Sequence, residues 1–250
     1  TEYEDHFSDV NLRTITEGTY IGPNEMTPAF SYIKGDLTKA YNAKKMDEYD
    51  RAMVFMDTFN ETYPGVLITF DRVVSTKEGF PKTWLLQAVA EPTIEGNKMW
   101  FKNSDTNEKC GGKLVNTVLY PENAQVSKVG GIGKFISEGK DRATSGGNAT
   151  EEIYSSGWRC EVKPSAPAKE DLFLNAMFVA DADTTAPDLE MTKIEDEQFM
   201  GVVTLDRQVM FSKSGNFIDK EFTVEVKDNN GGNNMLTLLT DIAPGKWNIS

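Results

Sequence analysis

The sequence predicts an all-β fold: a large antiparallel β-sandwich of stacked sheets, with a last stretch able to form a small C-terminal β lobe. Three observations carry this. Short apolar runs recur about every 10 to 20 residues, the spacing of sandwich and barrel strands. Gly, Pro and Asn clusters punctuate them, and sustained helical periodicity is missing. Such a pattern closes into stacked sheets rather than an α/β fold.

The elements follow in order. Residues 1–27 read as an N-terminal extension or edge strand, and β signal is continuous from about residue 28. Residues 36–48 fit a short helix around Leu37, Ala40 and Tyr41 as well as they fit a strand. Arg51–Thr58 (RAMVFMDT) and Gly65–Val74 (GVLITFDRVV) flank the turn residues Asn60, Pro64 and Gly65, which predicts an antiparallel pair. Trp84–Ala90 is a further strand. Ile94–Phe101 is a tight hairpin in which Gly96 and Asn97 are expected to supply positive φ. Strands follow at 113–120, 157–163, 171–180, 201–206, 208–212, 222–227 and 235–241, the last ones as hairpins. Residues 138–155 read as a long polar loop, and the acidic run 180–197 as a solvated excursion. The organisation expected is an extension over 1–27, a main sandwich over 28–200, and closing strands or a small lobe over 201–250.

Composition excludes several functions. The chain has 250 residues, with 26 Lys plus Arg against 39 Asp plus Glu, a net charge of −13. A nucleic-acid partner is not expected of so acidic a surface, although a local basic cleft could survive it. No apolar run approaches the length of a membrane span. Fourteen Phe, eight Tyr and four Trp supply ample surface to bury, which argues against disorder. The start at Thr1 suits a secreted protein after signal cleavage, or a fragment.

Candidate chemistry is sparse. The single histidine, His6, follows Glu4 and Asp5, which favour its protonated form and make it a poor base. Gly130–Lys134 (GGIGK) lacks the spacing and the following Ser or Thr of a phosphate loop, so it reads as a turn. The carboxylates Asp181, Asp183, Asp188, Glu190, Glu195, Asp196 and Glu197 could hold calcium but match no EF-hand spacing; a solvated acidic face is the alternative. Trp100, Tyr32 and Tyr41 are candidate sugar-stacking platforms, and Trp247 has the same character; Trp84 and Trp158 are expected in the core. Cys110 and Cys160 are either a disulfide, closing a loop of about 50 residues worth about 4 kcal/mol, or two unrelated thiols. Asn60, Asn148 and Asn248 head glycosylation sequons.

Several strings appear together in one order: Tyr32-Ile33-Lys34-Gly35-Asp36-Leu37-Thr38-Lys39-Ala40-Tyr41, Arg51-Ala52-Met53-Val54-Phe55, Trp84-Leu85-Leu86, Gly111-Gly112-Lys113-Leu114-Val115, and Leu119–Ala124. Val129-Gly130-Gly131, Gly157-Trp158-Arg159, Asp171-Leu172-Phe173-Leu174 and Thr240–Trp247 follow. In this order they resemble the C-terminal β-sandwich part of the heparinase II/III family of polysaccharide lyases. The resemblance implies a bacterial protein, secreted, periplasmic or on the cell surface, that acts on uronate polysaccharides by β-elimination. It also implies an α/α toroid ahead of the sheets, catalytic His and Tyr where the two meet, and a metal in the sheets. Here the toroid pattern is missing. Gln87 and Asn175 stand where the family often has histidine, and residues 13–22 contain none. Neither amide can shuttle a proton near neutral pH. The expectation is a chain with no catalytic residues and no cofactor. It would be a structural, self-assembling or glycan-binding module with a polysaccharide, or copies of itself in an oligomer or filament, as partner. The alternative is the C-terminal half of an active lyase.

Overall fold

The computed structural model describes residues 11–17, 29–88, 90–103, 111–131, 133–134, 136–137, 140–141, 157–227 and 234–248. The strands are β1 (Asn11–Glu17), β2 (Phe30–Asp36), β3 (Met46–Asp57), β4 (Gly65–Ser75), β5 (Trp84–Ala88), β6 (Thr93–Glu95), β7 (Lys98–Asn103), β8 (Gly112–Tyr120) and β9 (Gln125–Gly130). After them come β10 (Ile136–Ser137), β11 (Lys140–Asp141), β12 (Trp158–Lys163), β13 (Glu170–Asp181), β14 (Thr192–Glu195), β15 (Phe199–Thr204), β16 (Arg207–Ser212) and β17 (Leu236–Leu239).

An eight-stranded sheet, in the order β1-β2-β3-β4-β13-β8-β7-β6, forms the middle layer. The three-stranded sheet β5-β12-β9 covers one face and the four-stranded sheet β14-β15-β16-β17 the other. This three-layer stack explains why the central strands read as unbroken apolar runs: both of their faces are buried. On β4, Val66, Ile68 and Phe70 point into the core shared with the four-stranded sheet, while Val73 points toward the three-stranded one. On β13, Leu174, Ala176 and Phe178 take the first side, Phe173 and Met177 the second. Phe70 stacks on Phe211 of β16 with ring centroids 5.1 Å apart, so the C-terminal sheet shares its core with the rest. Gly201 lets β15 and β16 approach: a Cβ there would lie 1.8 Å from the Val209 carbonyl oxygen.

Several expectations need correction. Residues 36–48 are neither a helix nor one strand: Thr38–Ala40 is a 3-10 turn whose Thr38 N–H bonds the Asp36 carboxylate, and β3 begins at Met46. In the 94–101 hairpin only Gly96 has positive φ, at 60°; the glycine-first turn leaves Asn97 in ordinary conformation, its side chain bonded to the Val118 carbonyl. Residues 222–227 form no strand. The fully buried Gln208 amide bonds Glu225 O and Lys227 N, so a side chain takes the place of a neighbouring strand. β17 pairs parallel to β16, not as a hairpin, and Ile218, Phe222, Val224 and Met235 pack on the sheet's outer core. The acidic run 180–197 is only partly solvated: it carries β14 and buries Leu189, Met191 and Ile194. His6, Cys110, Asn148 and nearly all of the polar loop at 138–155 lie outside the described residues.

Lys34 and Asp241, 207 residues apart, join the middle sheet to the C-terminal segment. The Lys34 ammonium donates to Asp241 Oδ1 at 2.6 Å and to the Gly215 carbonyl at 2.8 Å. Both side chains are at least nine-tenths buried. The strings at 32–41 and 240–247 are therefore joined by a structural latch.

Candidate functional site

The strand alternation of β3 and β4 sends Tyr49, Arg51, Asp71 and Val73 to the same face of the middle sheet. The register pairs Arg51 with Asp71 and Tyr49 with Val73. The chain between β4 and β5 then folds over part of this face and leaves a cleft of about 430 Å³. Tyr41, Lys45, Arg51, Phe80, Lys82 and Leu85 are among the residues around it, with Asp71 and Trp84 in its wall.

Asp71 is the buried centre, 1% exposed. Its Oδ1 accepts from Arg51 Nε at 2.6 Å and from the Tyr49 hydroxyl at 2.9 Å. Burial pushes the Asp71 carboxyl up from its ordinary value, against the pull of Arg51, Tyr49 and Trp84. Burial, and then the nearby carboxylate, raise the Tyr49 phenol, so it is held as a donor and not a base. Burial opposes the Arg51 charge, but Asp71, Tyr49 and Tyr41 outweigh it and raise its pKa. The guanidinium lies 5.9 Å from the Tyr49 ring centroid, and Tyr41 meets that ring edge-on at 5.5 Å. About a third of the Arg51 side chain and half of Tyr41 remain exposed, so a cation and an aromatic ring stand at the opening. Lys82 ties down the other wall through Ala168 O at 2.6 Å and Asp171 at 2.8 Å. Chemically, a fixed guanidinium beside a flat ring has the groups needed to bind an anion next to an apolar surface.

Tyr41 is the one residue expected from sequence that the cleft contains. Tyr32 is buried in the core on the opposite face, and Trp100 packs against that same core. Trp84 and Cys160 are buried in the core beneath the three-stranded sheet. Burial pushes the Cys160 thiol up to about 11, and among the described residues it has no disulfide partner. Trp158 packs over Gly130 and Gly131, where the backbone approaches its ring closely.

Gln87 and Asn175 are not brought together. On β5, Trp84 and Ala88 point inward and Leu85 and Gln87 outward. Asn175 is fully buried on β13, where its Oδ1 accepts from Asn116 at 3.1 Å, and it shares the face of Phe173 and Met177 beneath β5. The acids of 181–197 are spread out: Asp188 pairs with Lys113 at 2.5 Å, Glu195 with Lys193 and Lys213, and Asp196 bonds the Gln198 and Phe199 N–H groups. Among the described residues, no group of three His, Cys, Asp or Glu side chains is placed to hold a metal. Arg51, Asp71 and Tyr49 were missed from sequence. The available signal was a charge within each apolar run, Arg51 before AMVF and Asp71 after VLITF.

Residues 193–250 match a family model described as the heparinase II C-terminal domain, so this segment resembles the C-terminal region of heparinase-type lyases. No curated protein matches the sequence. Among solved structures, the chain is similar to a heparinase III at 11% identity and TM-score 0.50, covering 78% of this chain and 26% of that one. It is also similar to heparan sulfate lyase HepC from Pedobacter heparinus, at 12% identity and TM-score 0.47, with 78% and 26% covered. A mutant of that enzyme gives 12% identity, TM-score 0.48, and 81% and 27% covered. The chain thus spans about a quarter of the length of these lyases. None of its helices is long and apolar enough to cross a membrane, among the described residues.

Proposed function

We propose that this chain is a non-catalytic, glycan-binding β-sandwich resembling the C-terminal part of heparinase II/III-type polysaccharide lyases, and that it holds an acidic sugar chain in the cleft over Arg51. One observation carries the reading: Arg51, fixed by Asp71, stands beside the half-exposed Tyr41 ring at the mouth of a cleft of about 430 Å³. That volume falls in the range of small-ligand sites. The net charge of −13 repels polyanions over most of the surface, so an acidic glycan would be confined to this local cation. The separation of Gln87 from Asn175 by the β5 layer supports the non-catalytic half of the reading. Action at the cell surface or after secretion accords with such a ligand.

Titration calorimetry with a heparosan oligosaccharide tests binding. Arg51→Ala should abolish it and Tyr41→Ala should weaken it. Unchanged binding in both variants would refute the cleft. A second reading, the C-terminal half of an active lyase, draws on the chain's spanning about a quarter of the solved lyases. Ultraviolet absorbance from unsaturated uronate product, generated by this chain alone, would favour it.

A further inference from the structure

We infer that Asp71 is a positioning residue for ligand binding: it turns Arg51 so that the two terminal nitrogens of the guanidinium face the cleft as a paired donor edge. The inference rests on the cleft reading above and adds a role for a residue that carries the same charge as the proposed ligand. Simple electrostatics would make Asp71 an obstacle, since a carboxylate beside an anion site weakens it. The geometry points the other way. Asp71 takes only Nε of Arg51, at 2.6 Å, and no hydrogen bond occupies the terminal nitrogens among the described residues. A guanidinium has a rigid planar fork, so fixing one edge fixes the direction of the other. The Tyr49 hydroxyl, at 2.9 Å from the same Oδ1, holds the carboxylate in turn. Tyr49 itself is packed between Tyr41 and Arg51. The result is a buried relay from Tyr49 to Asp71 to Arg51, with only the last group reaching the opening. An arginine already oriented loses less side-chain freedom when it binds.

The test uses the full chain and a heparosan hexasaccharide, with affinity read by calorimetry and the Arg51 Nε–H followed by nitrogen-15 NMR. Asp71→Asn removes a negative charge from the site, so the two views predict opposite signs. Positioning predicts about a tenfold loss of affinity and loss of the slowly exchanging Nε–H signal. Unaltered or tighter binding by Asp71→Asn would overturn the inference and leave the cleft reading intact. Tyr49→Phe leaves every charge in place and carries the test should Asp71→Asn not fold. It should weaken binding several-fold and broaden the Nε–H signal; unchanged affinity and signal would count against the relay. Equal binding by the unsubstituted chain and Arg51→Ala would instead defeat the glycan reading itself.

Discussion

Replacing Asp241 with Asn should destabilise the whole fold, although Asp241 is not among the residues that line the cleft. The residue has φ of 59°, a conformation that Asn accepts nearly as well as Asp, so the substitution removes charge without adding backbone strain. What it leaves is the Lys34 ammonium, at least nine-tenths buried, held by the Gly215 carbonyl and a neutral amide oxygen where it had a carboxylate. Breaking a buried pair from one side costs about 3–5 kcal/mol, against about 0–1 for an exposed pair. For a chain of this size each kcal/mol lowers Tm by about 2–4 °C, so the expected fall is about 6–20 °C. Thermal and urea unfolding followed by circular dichroism measure it. Lys34→Met combined with Asp241→Asn should recover most of the loss, because the stranded charge is gone. A single variant within about 1 kcal/mol of the parent would show that the pair is solvated and that the latch does not hold the C-terminal sheet.

Phe211→Ala, which empties the stacked contact with Phe70, should cost about 3–5 kcal/mol by urea unfolding; a loss under 1 would mean the shared core is loosely packed. Gly201→Ala forces a Cβ against the Val209 carbonyl, so little soluble folded protein should be recovered, and a native-like melting curve would contradict the close approach of β15 and β16. The Glu161 carboxyl is held below its ordinary range chiefly by Lys163, and by Arg159 against the opposing effect of burial. A lowered folded pKa stabilises above the unfolded pKa and loses that contribution as pH falls through the folded one. Glu161→Gln should therefore destabilise at neutral pH and become neutral in acid, by urea melts across the range; a pH-independent effect would indicate lost packing instead of lost charge.

The strands were legible where the chain is buried on both sides. Runs such as GVLITF in β4 and the FLNAMFV stretch of β13 admit little besides central strands of a layered sheet. Residues 222–227 have strand composition but no ladder, because the deciding partner is the side chain of Gln208, which no local pattern announces. The parallel pairing of β17 was hidden for a similar reason: its partner strand lies more than twenty residues earlier in the sequence. At the candidate site, Tyr41 was visible as an aromatic near a strand end. Arg51 and Asp71 stand 20 residues apart and become neighbours only through the register of β3 against β4. Family resemblance drew attention to Gln87 and Asn175 together, whereas the pleat of β5 turns Gln87 outward, away from the layer that contains Asn175.

Arg51 as the anion receptor of a carbohydrate cleft is the centre of the proposed function. The most direct measurement is calorimetric titration of a heparosan hexasaccharide into the unsubstituted chain and into Arg51→Ala, with near-ultraviolet circular dichroism to show that both are folded. Saturable binding by the first and none by the second is the predicted result. Equal binding by both, or none by either, would contradict it.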